Sequence, residues 1–143
     1  MFMGEYNHTI DAKGRLIVPT KFREQLGEAF ILAKGNDGCL SIYTKEDWGV
    51  FLEKIKALPA TVRIRDYVRN IVGSSVEVTT DKQGRILVPG TLREYAKIDK
   101  DVVFAGVIDK IEVWDKDKWN EHTNLDNIDD IAEEMAERYG LSI

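Results

Sequence analysis

The chain has 143 residues, of which 43% are hydrophobic and 31% charged, the balance of an ordinary globular protein large enough to bury one core. Its formal net charge is −5, but residues 1–75 carry 11 Lys+Arg against 9 Asp+Glu while residues 76–143 carry 9 against 16, so acid concentrates late and a basic face elsewhere stays open. The longest apolar runs fall far short of the ~20 residues a bilayer-spanning helix needs, and Met1-Phe2-Met3-Gly4-Glu5-Tyr6 lacks the basic-then-apolar order of a signal peptide, so a cytoplasmic protein is expected.

Taken in order, Glu5 to Ile10 reads as a strand, and Asp11-Ala12-Lys13-Gly14 as a turn. There Asp can bond the backbone two residues on, and Gly supplies a positive φ. Arg15 to Val18 is a second strand, ended by Pro19, and the two strands are expected to form a hairpin carrying Lys13 and Arg15. Thr20 to Leu26 fits two helical turns, with Phe22 and Leu26 buried and Gly27 as the stop.

Phe30 to Ala33 and Cys39 to Tyr43 flank Lys34-Gly35-Asn36-Asp37-Gly38, a second hairpin. Cys39, the single cysteine, can close no intramolecular disulfide and reads as a small buried strand residue. Thr44 caps a helix with Trp48, Phe51, Leu52 and Ile55 on one face, and Pro59 ends it. Val62 to Val72 is a further helix carrying Arg63, Arg65 and Arg69 against Asp66. Gly73-Ser74-Ser75 breaks the chain.

Val76 to Thr80 and Arg85 to Val88 then form a hairpin, followed by a short helix from Thr91 to Ala96. Thr91-Leu92-Arg93-Glu94 has the spacing of a capping box. Val102 to Val107 and Lys110 to Trp114 are the next hairpin, and Asp115 caps a helix that includes Trp119. Ile128, Ile131, Ala132, Met135 and Tyr139 stand at helical spacing in the tail, opposite Asp129, Asp130, Glu133, Glu134 and Glu137, with Gly140 as the stop.

This order is a repetition. Asp11-Ala12-Lys13-Gly14-Arg15-Leu16-Ile17-Val18-Pro19 returns as Asp81-Lys82-Gln83-Gly84-Arg85-Ile86-Leu87-Val88-Pro89, a shift of 70. Phe22-Arg23-Glu24 answers Leu92-Arg93-Glu94, and with a shift of 71 Ile42-Tyr43 and Trp48 answer Val113-Trp114 and Trp119. Two copies are an internal duplication, not a solenoid. Each reads strand-strand-helix-strand-strand-helix. The division expected is repeat one over 1–56, a helical connector over 57–75, repeat two over 76–122, and an acidic amphipathic helix over 123–143.

Catalytic, metal and cofactor chemistry find no support. His8 and His122 are the only histidines, in non-equivalent places, and no H-E-x-x-H, C-x-x-C, G-x-S-x-G or phosphate-binding loop is present. His8 reads as a half-buried structural residue, and Trp48, Trp114 and Trp119 as core or subunit-interface residues. The repeated hairpin is different. It places a turn-forming Asp, a cation and an Arg on a rigid β element twice, and a two-stranded ribbon fits the DNA major groove. Asp11 pairing with Arg15, and Asp81 with Arg85, merely to lock each turn explains the same residues equally well. For Arg63, Arg65 and Arg69 ion pairs to a neighbouring subunit's acids are favoured over phosphate contact.

D-x-K-G-R-hydrophobic-x-V-P resembles the signature of the SpoVT-AbrB-like domain, and a tandem pair over nearly the whole chain resembles the MraZ family of bacterial transcriptional regulators. The resemblance implies a mostly β, α+β fold: a double-psi-like, swapped-hairpin β-barrel built from the two repeats, plus helices. It implies a non-enzymatic DNA binder, without cofactor or metal, that associates with the nucleoid. Such a protein represses its own cell-division and cell-wall gene cluster from promoter direct repeats, as a ring of about eight to twelve subunits, a closed cyclic assembly. The DNA-contact residues implied are Lys13 and Arg15 in the first repeat; in the second, Arg85 matches the motif, Gln83 replaces its Lys, and Lys82 supplies the cation one position earlier. A double-psi-barrel adaptor that binds protein is the competing reading.

Overall fold

In the computed structural model, which describes residues 1–142, each repeat has the expected order of elements. Repeat one runs β1 (Phe2–Thr9), β2 (Arg15–Ile17), α1 (Thr20–Leu26), β3 (Ala29–Lys34), β4 (Leu40–Thr44), α2 (Lys45–Lys56). After α3 (Val62–Ile71), repeat two runs β5 (Val76–Thr79), β6 (Arg85–Leu87), α4 (Gly90–Ala96), β7 (Asp101–Ile108), β8 (Ile111–Asp115), α5 (Lys116–Thr123), and α6 (Ile128–Tyr139) follows.

Local chemistry accounts for most boundaries. The Thr44 hydroxyl accepts the Asp47 amide at 3.0 Å to start α2, and the Thr61 hydroxyl accepts that of Ile64 at 3.2 Å to start α3. Gly27 and Gly140, both at positive φ, stop α1 and α6. The capping box at Thr91 does not form. Pro89 is the N-cap of α4 and starts it one residue earlier, so Thr91 lies inside the first turn. Asp115 does stand at the N-cap of α5, but its carboxylate accepts the Asp99 amide at 3.3 Å instead of capping the helix.

The strands pair across the repeats. The hairpins β3–β4 and β7–β8 form as expected, but β1 runs antiparallel to β7 and β5 to β3, giving a six-stranded sheet ordered β1-β7-β8-β4-β3-β5. The two remaining strands pair with each other as a separate ribbon, β2–β6. The first-repeat hairpin over Glu5–Val18 is therefore reduced to one bridge, Ile10 to Leu16, and β5 and β6 do not pair at all. The reason lies in side-chain demand: each three-residue ribbon strand has one inward residue, Leu16 or Ile86, and these meet best across the ribbon.

The mostly β, α+β class thus holds, but the closed barrel does not. β1 and β5 are the two edges of an open sheet, and β2–β6 is not a member of it. One hydrophobic core nevertheless serves both repeats. Phe22, Phe30, Leu32 and Leu16 from the first pack with Ile86, Leu92, Phe104 and Val113 from the second, all at most 1% exposed. On the opposite face of the sheet, Trp48 packs with Ile31 and Ala33, and Trp114 with Cys39 and Val103, so both tryptophans are core residues. Cys39 is fully buried but lies just outside the strand, before β4. Helix α6 keeps its register yet buries none of its residues.

Candidate nucleic-acid interface

The ribbon brings the two repeated turns together. Its register pairs Arg15 with Leu87, Leu16 with Ile86 and Ile17 with Arg85. Because strand side chains alternate, Leu16 and Ile86 point into the core while Arg15, Ile17, Arg85 and Leu87 share the outward face. On that face each arginine stands opposite an exposed aliphatic side chain: Ile17 is 41% and Leu87 61% exposed.

Each turn is built the same way. One Asp11 carboxylate oxygen accepts the amides of Lys13 and Arg15 at 3.0 and 2.9 Å, and the other accepts Arg15 Nε at 2.6 Å. Asp81 accepts the amides of Gln83 and Arg85, both at 2.9 Å, and Arg85 Nε at 2.8 Å. These bonds favour the charged carboxylate, led by the backbone amide of Arg15 or Arg85, and hold both aspartates below the ordinary carboxylate range.

Locking the turn and reaching outward are therefore not alternatives. Each aspartate occupies only Nε, and the terminal nitrogens of Arg15 and Arg85 make no hydrogen bond or ion pair among the described residues. The guanidinium is oriented from behind, with its forked end free and the side chains 39% and 28% exposed. Lys13 and Lys82 are exposed and make no ion pair among the described residues. Lys82 sits one residue earlier in its turn than Lys13, so the two repeats present the ammonium from different points of the loop.

The turns also brace each other. The Val18 amide donates to the Gly84 carbonyl at 3.0 Å, and the Val88 amide to the Gly14 carbonyl at 2.8 Å. Gly14 and Gly84 have φ of 86° and 78°, the left-handed region a non-glycine residue adopts at a cost. Over each glycine lies an arginine of the other repeat: Arg93 against Gly14 and Arg23 against Gly84. Arg23 and Arg93 are the site residues that sequence reasoning missed, though both recur at the same offset from their turn. Arg93 Nε donates to the Val88 carbonyl at 3.2 Å, whereas the Arg23 terminal nitrogen donates to Thr20 Oγ1 at 2.8 Å. Near this end His8 packs edge-on to Phe104, and burial, then the Arg23 charge, depress its pKa.

The helical arginines stand apart from this site. Arg69 pairs with Asp66 at 3.1 Å and Arg65 donates to the Ala60 carbonyl at 2.7 Å, both on α3 and its entry loop.

Two interleaved strand-strand-helix-strand-strand-helix repeats over one core, with cross-braced Asp-x-x-x-Arg turns, define a duplicated α+β protein. A family model described as "MraZ protein, putative antitoxin-like" matches residues 1–66 and 71–139. The chain is 53% identical over 142 residues to a protein of Lachnoclostridium phytofermentans named transcriptional regulator MraZ, covering 99% of both chains. It is 52% identical over 138 residues to one of the same name from Thermoanaerobacter sp. strain X514, covering 96% of this chain and 95% of that one. A third, from Acetivibrio thermocellus, is 51% identical over 139 residues, covering 95% of this chain and 97% of its own. The chain belongs to the MraZ family.

Proposed function

We propose that this chain is a sequence-specific DNA-binding transcriptional regulator and that Lys13, Arg15, Lys82 and Arg85 are its DNA contacts. The observation that carries the reading is the β2–β6 register, which puts Arg15 and Arg85 on one exposed face with their forked ends unpaired. A guanidinium so oriented suits bidentate contact to phosphate or to a guanine edge, and a ribbon of this width enters a major groove. The name transcriptional regulator carried by the relatives supports the same direction.

A single protomer offers few cations, so it binds weakly and loses affinity steeply as salt rises. Repetition of the site around a ring of about eight to twelve subunits makes later contacts intramolecular and lets avidity supply the affinity. Such an assembly matches an operator of spaced direct repeats in the promoter of the protein's own cell-division and cell-wall cluster, which it represses. In this reading repeat one spans 1–56, the connector 57–75, repeat two 76–122 and the acidic tail 123–143, and the protein works at the nucleoid in the cytoplasm.

The test is a salt-series binding assay on the protein's own upstream promoter DNA with wild type, Arg15→Ala and Arg85→Ala. Loss of binding in Arg15→Ala, with the oligomer intact by light scattering, is expected, and a smaller loss in Arg85→Ala. Equal binding by all three, or none at low salt, overturns the DNA reading in favour of the protein-binding adaptor.

A further inference from the structure

The outward face of the β2–β6 ribbon is not uniformly polar. Its side chains alternate round a square, with Arg15 opposite Leu87 and Ile17 opposite Arg85. Ile17 is 41% and Leu87 61% exposed, and neither belongs to the core or to the partly buried side chains packed against it. Strand formation does not call for them. A threonine would serve an exposed strand position as well as Ile17, and leucine, the residue at position 87, is not among those enriched in strands. Both repeats nevertheless place an aliphatic side chain two residues after the turn arginine.

The setting limits what can cover these two. Each stands between the free forks of Arg15 and Arg85, with Lys13 and Lys82 exposed on the adjoining turns. Asp11 and Asp81, the acids of the same turns, are taken up by backbone amides and by arginine Nε. A partner for this face must therefore combine negative charge or acceptor groups with apolar groups close beside them. Phosphates supply charge but nothing apolar. The major groove supplies both, because the thymine C5-methyl lies on its floor among acceptors such as guanine O6 and N7. Facing side chains of a ribbon stand about 5 Å apart and stacked base pairs about 3.4 Å, so an arginine and its facing aliphatic address base pairs at most about two steps apart.

We infer that Ile17 and Leu87 pack against thymine methyl groups of the operator, within about two base pairs of the bases that Arg15 and Arg85 contact. The inference rests on the DNA-binding reading and deepens it. The arginines supply charge and hydrogen bonds, and the aliphatic pair supplies the apolar half of the base-edge contact. Neither aliphatic side chain carries a charge, so its contribution persists as salt rises while that of the cations fades. The two contributions therefore separate experimentally.

The test uses the full-length protein on its own upstream promoter DNA, made once with thymine and once with uracil throughout. Uracil keeps every hydrogen-bonding group of thymine and lacks only the methyl. Wild type should bind the uracil duplex more weakly, by about fourfold for each methyl contacted, and by the same factor at low and at high salt. Ile17→Ser with Leu87→Ser should weaken binding to the thymine duplex by a similar factor and no longer distinguish the two duplexes. Arg15→Ala, run beside them, reports on DNA contact itself. Equal binding of both duplexes by wild type, while Arg15→Ala loses binding, overturns the inference and leaves the DNA reading standing. A uracil penalty of equal size in wild type and the serine pair overturns it too, since the methyls then act through the shape of the duplex. Break-up of the serine variant's oligomer by light scattering, with no uracil penalty in wild type, assigns the face to a second copy instead. Binding of neither duplex at low salt removes the DNA reading and this inference together.

Discussion

The guanidinium of Arg23, from the first repeat, occupies the space beside Gly84 where a Cβ would stand, and Gly84 is the turn glycine of the second repeat. Arg93 and Gly14 make the reciprocal pair. Each turn is thus held from within by its aspartate and from outside by the other repeat, so neither Asp-x-x-x-Arg unit is complete alone. Duplication here makes one braced unit from two turns, and the ribbon that joins them also anchors them in the shared core through Leu16 and Ile86.

The two glycines should not tolerate substitution equally. Both are at positive φ, so alanine at either costs about 1–2 kcal/mol from the backbone alone. At Gly84 the new Cβ meets the end of the flexible Arg23 side chain, which can move. At Gly14 it stands 2.8 Å from the Val88 carbonyl oxygen, whose residue donates its amide back to Gly14. Gly14→Ala should therefore lower the urea midpoint more than Gly84→Ala. Equal shifts would show that the brace by Val88 yields as easily as a side chain.

Acid should weaken the fold in two steps. His8 has a pKa depressed by burial and then by Arg23, so its neutral form is favoured in the folded state. Its contribution is present above the unfolded value of 6.5 and is lost as pH falls below it. Asp11 and Asp81 are likewise depressed, through the amides of Arg15 and Arg85 first, so their contribution is present above 3.8 and lost as pH falls through their lower folded values. Thermal melts from pH 7 to 3 should show a shallow decline below 6.5 that His8→Gln removes, then a steeper one that Asp11→Asn with Asp81→Asn blunts. A flat profile in wild type would contradict both.

Cys39 should be chemically silent in the native protein. Desolvation, then the neighbouring Glu112, push its thiol up to about 12, so almost no thiolate forms at pH 8. Alkylation by iodoacetamide should follow global unfolding across a urea series, with no phase ahead of it. The sign for stability is the reverse of the acid case: the neutral thiol is favoured in the fold, so stability falls as pH rises past the unfolded value of 9.0.

The parts of this fold legible in the sequence are those decided by near neighbours. Thr44, Gly27, Gly140 and the Asp-Gly turns act within a few residues, and their helices and turns stand where the spacing puts them. Partner choice is different. The alternation in β1 says that one face is buried but not against what, and β1 found β7, about a hundred residues away, in preference to the strand just past its own turn. For the same reason the strands that a barrel would have closed remain in an open sheet with a separate ribbon. The turn positions of Lys13, Arg15, Lys82 and Arg85 were legible because local turn chemistry fixes them. Arg23 and Arg93 were not, since their contacts cross from one repeat to the other. The signal was present in the recurrence of an arginine eight residues after each turn arginine, a spacing that no local structure requires.

The orientation of Arg15 through Nε separates two kinds of contact that an alanine variant merges. Lysine at this position keeps the positive charge but has no Nε for Asp11 to hold and no fork to present. Arg15→Lys should therefore keep most non-specific, salt-sensitive affinity while losing discrimination between the operator and a scrambled duplex by about 1–3 kcal/mol, roughly five- to 150-fold. Lys13→Ala should do the opposite: Lys13 is a point charge on the turn, so its loss weakens binding to both duplexes alike and lowers the salt slope by about one. Competition titrations at two salt concentrations distinguish the outcomes. If Arg15→Lys discriminates as well as wild type, the arginine acts as a charge only, and the specificity of this interface has to reside in Ile17 and Leu87 or in the shape of the DNA.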